Sequence, residues 1–123
     1  MRKTFYVVAL MLLASLVLVA CGGGGDTAGG GDVAAGKALF AETVIGTQAG
    51  CSTCHSLTPG EVIVGPSMAG IGSRDEAYIR ESILDPNATL VDGYPADTMP
   101  NVWGSELSDE QVDQLVAYLL SLK

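Results

Sequence analysis

Histidine is nearly absent. There is one, His55, in 123 residues. A zinc site built on two histidines is thereby excluded, and any histidine chemistry depends on a single ring. Cations are scarce too. Six Lys and Arg stand against fourteen Asp and Glu, a formal net charge of −8. A phosphate-backbone binder needs clustered Lys and Arg, so no nucleic-acid partner is expected. The three cysteines are an odd count that cannot close into disulfides within one protein molecule, so at least one thiol has another job. Five prolines are too few, and the sixteen glycines too unevenly spread, for a collagen-like repeat. No apolar run reaches the roughly 20 residues of a membrane span. The longest, Phe5 to Ala20, has sixteen positions and contains Ser15. Alternating strand patterns and internal repeats are also missing. A protein of this length carries one modest core.

What is present divides into three segments. Residues 1–20 read as a secretory signal, with Arg2 and Lys3 before the apolar run. The run ends in Leu18-Val19-Ala20-Cys21, which resembles a bacterial lipobox. In that motif the cysteine is lipidated and becomes the new N-terminus, so Cys21 is the candidate lipid anchor. A short uncleaved transmembrane anchor is the alternative. Both place the remainder on the outer face of the cytoplasmic membrane and attached to it. After Cys21, residues 22–31 contain seven glycines and read as a flexible tether. A glycine-rich phosphate loop is the competing reading, but no P-loop Lys-Ser/Thr follows and no strand precedes.

Residues 32–123 form the folded part, expected to be all-α with three main helices and long loops. The first is predicted over Val33–Thr43, with Asp32 as N-cap and Val33, Gly36, Leu39 and Phe40 along one stripe. The second is predicted over Arg74–Leu84, opened by a Ser73/Glu76 capping box and stopped by Asp85-Pro86. The third is predicted over Asp109–Leu122, with a Ser108/Gln111 capping box and an apolar face of Val112, Leu115, Val116, Leu119 and Leu122. The stretch from Asp85 to Leu107 is longer than a compact domain usually leaves unstructured. Something other than side chains is expected to fill the interior.

Cys51-Ser52-Thr53-Cys54-His55 supplies it. In an exported protein the pattern C-x-x-C-H reads as covalent attachment of one c-type haem. Two cysteines three apart on a helical turn can each add to a vinyl group of one porphyrin, and the histidine then points at the iron. Three other readings compete. A thioredoxin-like pair wants a βαβ context, which is missing. A zinc site lacks a fourth ligand at suitable spacing. A Cys51–Cys54 disulfide closes so short a loop that it adds little stability.

A second axial ligand is sought downstream. A Met/His pair raises the reduction potential and suits electron transfer. Met99, in Asp97-Thr98-Met99-Pro100, lies in a loop long enough to reach the far face, and Pro100 stiffens the backbone beside it. Met68 is the weaker candidate, expected to pack on the histidine side. A ligating imidazole usually donates its other N–H to a carbonyl, and Pro66 is the candidate for that carbonyl. Tyr94 and Trp103 flank Met99. Each either covers the haem, hydrogen-bonds a propionate, or simply packs.

From Ala34 to Lys123 these residues resemble the small monohaem cytochromes c of the His/Met type. The landmarks are Gly36, Phe40, the C-x-x-C-H motif, Gly65-Pro66, Met99-Pro100 and Tyr118-Leu119. The resemblance implies a small cytochrome c fold wrapped around haem c. The first and last helices would cross closely at Gly36, with Phe40 and Tyr118 packed at the crossing. The stretches Tyr78–Asn87 and Gly93-Tyr94-Pro95 are similar to cytochrome c domains fused to subunit II of haem-copper oxidases, and to monohaem lipoprotein subunits of quinol-oxidising complexes. The implied function is one-electron transfer without catalysis of its own. The implied partners are a quinol-oxidising donor and a haem-copper oxidase or photosynthetic acceptor, with the protein either a free carrier or a fixed subunit. A peroxidase-like enzyme and a haem-based sensor with a displaceable sixth ligand are the rival readings.

Overall fold

The computed structural model describes residues 32–123. The expected signal, Cys21 and the glycine tether lie outside the described residues. The chain runs α1 (Val33–Ala41), a two-stranded hairpin of β1 (Val44–Ile45) and β2 (Gln48–Ala49), then α2 (Cys51–Cys54). A 3-10 turn at Ile71–Ser73 leads into α3 (Glu76–Leu84), followed by α4 (Trp103–Glu106) and α5 (Asp109–Ser121). The fold is all-α apart from the hairpin, which pairs Val44 with Ala49 and Ile45 with Gln48 in antiparallel register. The sequence patterns miss this hairpin, because two-residue strands are too short to show alternation.

Local chemistry explains the helix ends. Asp32 caps α1, its carboxylate accepting from Ala34 N at 2.8 Å and Ala35 N at 3.2 Å. The helix stops at Ala41, two residues short of the expected Thr43, and Val33 is 45% exposed rather than on the inward stripe. The α3 cap is Asp75, whose carboxylate accepts from Tyr78 N at 2.8 Å. The expected Ser73/Glu76 box does not form. Ser73 sits in the 3-10 turn, where its hydroxyl donates to Gly70 O at 2.8 Å. The Ser108/Gln111 box on α5 is complete in both directions, at 2.9 and 3.2 Å.

The framework is the crossing of α1 and α5. A Cβ placed on Gly36 would overlap the Gln114 carbonyl oxygen, so only glycine allows this approach. Phe40 and Tyr118 pack beside it with ring centroids 5.6 Å apart and planes tilted by 58°. The α5 residues Val112, Leu115, Val116 and Leu119 carry the core toward Ile79 and Ile83 of α3 and Trp103 of α4. Arg80 joins α3 to α5 through Asp113 at 2.7 Å, on the exposed side. Among the described residues, no helix is long and apolar enough to cross a membrane.

Candidate functional site

The helices do not close fully on one another. Between them lies a cavity of about 660 Å³, within the roughly 300–1,000 Å³ typical of small-molecule and cofactor sites. The fold brings Cys51, Cys54, His55, Pro66, Tyr94, Met99 and Trp103 to its wall, together with Met68. Cys21 lies outside the described residues.

One wall is α2 and the loop after it. The hairpin turns the backbone so that Gly50 starts α2, where a Cβ would overlap the Glu42 carbonyl oxygen. One helical turn then sets Cys51 and Cys54 on the cavity, with no disulfide between them. Burial pushes the Cys51 thiol above its ordinary range, and the neighbouring Cys54 adds to the shift. Among the described residues, no group of three or more His, Cys, Asp and Glu could hold a metal ion.

His55 ends α2 with its ring on the cavity. Its Nδ1 lies 2.8 Å from Pro66 O. A carbonyl can only accept, so Nδ1 carries the proton and the Nε2 lone pair is left free to ligate. The loop that delivers Pro66 is stitched to the segment around His55. Val64 N and Gly65 N both donate to Cys54 O, at 3.2 and 2.9 Å, and Met68 N donates to Ser56 O at 2.8 Å. Ser56, the buried polar residue of the described core at 7% exposure, donates its hydroxyl to the Glu61 carboxylate and accepts from Thr58 N. Gly65 leaves the imidazole its space: a Cβ there would lie 2.5 Å from His55 Cε1.

Another stretch of the wall is the segment from Pro86 to Trp103. Met99 is half-buried and packs on the core, as does Met68. Tyr94 is half-buried with its backbone N bonded to Val91 O. The segment does not stay irregular to its end, since α4 forms over Trp103–Glu106. Trp103 is 4% exposed, yet its Nε1–H has no partner. An unpaired buried donor costs about 1–3 kcal/mol, which marks it as a donor awaiting an acceptor in the cavity. Arg74, missed by the sequence patterns, is the one cation on the wall among the described residues, its guanidinium 4.0 Å over the Tyr78 ring. A flat, largely apolar group with acidic edges fits this lining: two thiols and an imidazole from one segment, thioether sulfur from another, and Trp103 Nε1–H and Arg74 as the unspent donors.

Comparison with known proteins agrees with this geometry. The family described as Cytochrome c matches residues 33–123. A curated relative, cytochrome c oxidase subunit 2 of Bacillus sp. (strain PS3), is 29% identical over 102 residues. That match covers 72% of this chain and 25% of the relative, so the chain spans about a quarter of the relative's length.

Proposed function

We propose, from the premise that the chain belongs to the cytochrome c family, that it is a membrane-tethered one-electron carrier working between membrane redox complexes. Membership makes it a haem-based electron carrier whose single haem c is joined to Cys51 and Cys54. When bound, that group supplies a one-electron Fe(III)/Fe(II) couple.

The protein's own residues do the rest. Cys51 and Cys54 would hold the group through thioethers. His55 would offer Nε2 to the iron, and its bond to Pro66 O fixes the ring and raises its basicity. Met99 would supply sulfur, the soft ligand that raises the potential. Trp103 Nε1–H and the Arg74 guanidinium would be the donors for acidic substituents of the group. Ile79, Ile83, Leu115 and Leu119 keep water from the interior. Electrons enter and leave singly, so no proton or bond change is asked of the protein.

Tethering rests on Cys21, and partnership rests on the oxidase subunit that the chain resembles over a quarter of its length. We assign the carrier to the outer face of the bacterial cytoplasmic membrane. There it takes electrons from a quinol-oxidising complex and passes them to a haem-copper oxidase or photosynthetic acceptor. The negative charge favours a partner with basic groups.

The observation that carries this reading is the His55–Pro66 bond beside the two thiols on one cavity wall. Its test is the absorption spectrum of the oxidised protein, where a weak sulfur-to-iron charge-transfer band is expected and a high-spin spectrum overturns the carrier. Cys21→Ser should move the protein from the membrane to the soluble fraction; unchanged fractionation removes the lipid anchor. An on-rate toward a purified partner that is flat in salt removes charge steering.

A further inference from the structure

We propose that Asn87 and Asp97 form a clasp that positions Met99 and holds its sulfur against displacement; this rests on the reading of Met99 as the sixth ligand.

Two hydrogen bonds run in opposite senses across the same pair. Asn87 Nδ2–H donates to Asp97 Oδ1 at 2.9 Å, and the Asp97 backbone N–H donates to Asn87 Oδ1 at 2.9 Å. They tie together the ends of a segment whose other bonds are short-range turns, Tyr94 N to Val91 O and Thr98 Oγ1 to Pro95 O. Asp97 has φ +60°, and it is the one residue other than glycine with a positive φ among the described residues. Side chains seldom adopt that conformation, and Asp is among the few that tolerate it. It therefore needs surroundings that hold it. The clasp is what holds it, since Asn87 engages both the side chain and the backbone of this one residue. Two residues on comes Met99, and then Pro100, whose ring disfavours the helical conformation at Met99. Met99 is thus bracketed by two conformational locks, one covalent and one made by Asn87. Side-chain rotation alone can move the sulfur, but withdrawing the loop backbone that presents it requires one of them to open, and only the clasp can.

The test is imidazole binding to the oxidised haem protein, followed by loss of the sulfur-to-iron band. Asn87→Ala removes both bonds and should raise the apparent imidazole affinity roughly tenfold, the equivalent of about 1.4 kcal/mol. Asp97→Gly keeps the backbone bond and relieves the strain, so it should stay within about threefold of wild type. Asp97→Asn restores an acceptor for Asn87 and should bind as wild type does. Should Asn87→Ala fail to mature, Asn87→Asp keeps an acceptor for the Asp97 N–H but loses the Nδ2–H donor and sets two carboxylates against each other, so the rise should exceed that of Asp97→Gly. The decisive arm repeats Asn87→Ala in a Met99→Ala background, where no sulfur remains to be displaced and the effect should vanish. An equal rise in both backgrounds means that Asn87 only gates access, and overturns the proposal. An affinity within twofold of wild type in Asn87→Ala, with the band intact, also overturns it. If Met99→Ala leaves the band and the affinity unchanged, the ligand reading falls first and the clasp with it.

Discussion

The two walls of the cavity are built differently. On the His55 side, three backbone N–H groups from Val64, Gly65 and Met68 cross to the carbonyls of Cys54 and Ser56, and the Ser56, Glu61 and Ser67 side chains reinforce the crossing. On the Met99 side, the backbone from Pro86 to Val102 is held by local turns and one side-chain pair. The first wall fixes a ring to within one hydrogen bond. The second, on the reading of Met99 as ligand, is asked for a single atom from a strap held mostly by short-range turns. A carrier needs a permanent attachment and a finely held potential, and the division of labour follows. Damage to the stitched wall should cost the cofactor or the fold, and damage to the strap should cost only ligation.

The largest effect expected is on the stitched wall. Replacing both Cys51 and Cys54 by Ser should abolish haem that survives a denaturing gel, read by in-gel haem staining. Haem retained covalently in that variant would break the comparison at its base. The strap gives the next largest effect. Met99→Ala should remove the sulfur-to-iron band entirely and leave covalent haem intact. Met68→Ala should leave the band and lower the unfolding midpoint instead, because it removes a side chain packed against the core while the backbone bond to Ser56 O stays.

A pair of glycines then separates crowding from strain. Gly65→Ala would press a methyl group onto the His55 ring, with Nδ1 only 2.9 Å from the new Cβ. Overpacking of this kind costs about 1–3 kcal/mol, and the proximal bond should weaken with it. Gly93 on the strap has φ +87° and nothing within 4 Å of an added Cβ. Gly93→Ala should therefore cost only the backbone term, about 1–2 kcal/mol, with the spectrum unchanged. Denaturant unfolding and the reduction potential measured on both variants decide it. A potential shift in Gly93→Ala equal to that in Gly65→Ala would mean that the walls are not distinct.

The same contrast governs what is legible in the sequence. The stitched wall is local, so its parts stand within eighteen residues of one another, and Cys51, Cys54, His55 and Pro66 can be named from spacing and chemistry. The caps Asp32 and Ser108 are legible for the same reason, each within three residues of the N–H groups it serves. The α3 cap is not, because Ser73 and Asp75 are both acceptable cap residues. Only the 3-10 turn, which takes the Ser73 hydroxyl for Gly70 O, decides between them. The hairpin and α4 are too short to leave a period. Arg74 and the orphaned Trp103 N–H stand twenty-nine positions apart and meet on the cavity wall only through the packing of α3 and α4 on α5. No spacing rule reaches that far. The pairing of Asn87 with Asp97 hides likewise, since it depends on a backbone angle at Asp97 that no side-chain pattern announces.

The smallest test compares one hydroxyl on each wall. Ser67 Oγ–H donates to Thr58 O at 2.7 Å and the oxygen accepts from Ala69 N at 3.1 Å, so one side chain ties two parts of the proximal loop. Thr98 Oγ1–H makes one bond, to Pro95 O at 3.0 Å, in an exposed turn. A net hydrogen bond contributes about 0.5–1.5 kcal/mol, and of the two Ser67 bonds the one from Ala69 N is part-buried. Ser67→Ala should therefore lower stability by about 1–2 kcal/mol and loosen the support beneath the Pro66 carbonyl. Water can replace the exposed Thr98 bond, so Thr98→Ala should stay within about 0.5 kcal/mol. Denaturant unfolding of the two haem proteins checks the ranking. An equal cost would place the strap under the same constraint as the proximal loop, and a strap so constrained could not release its sulfur alone.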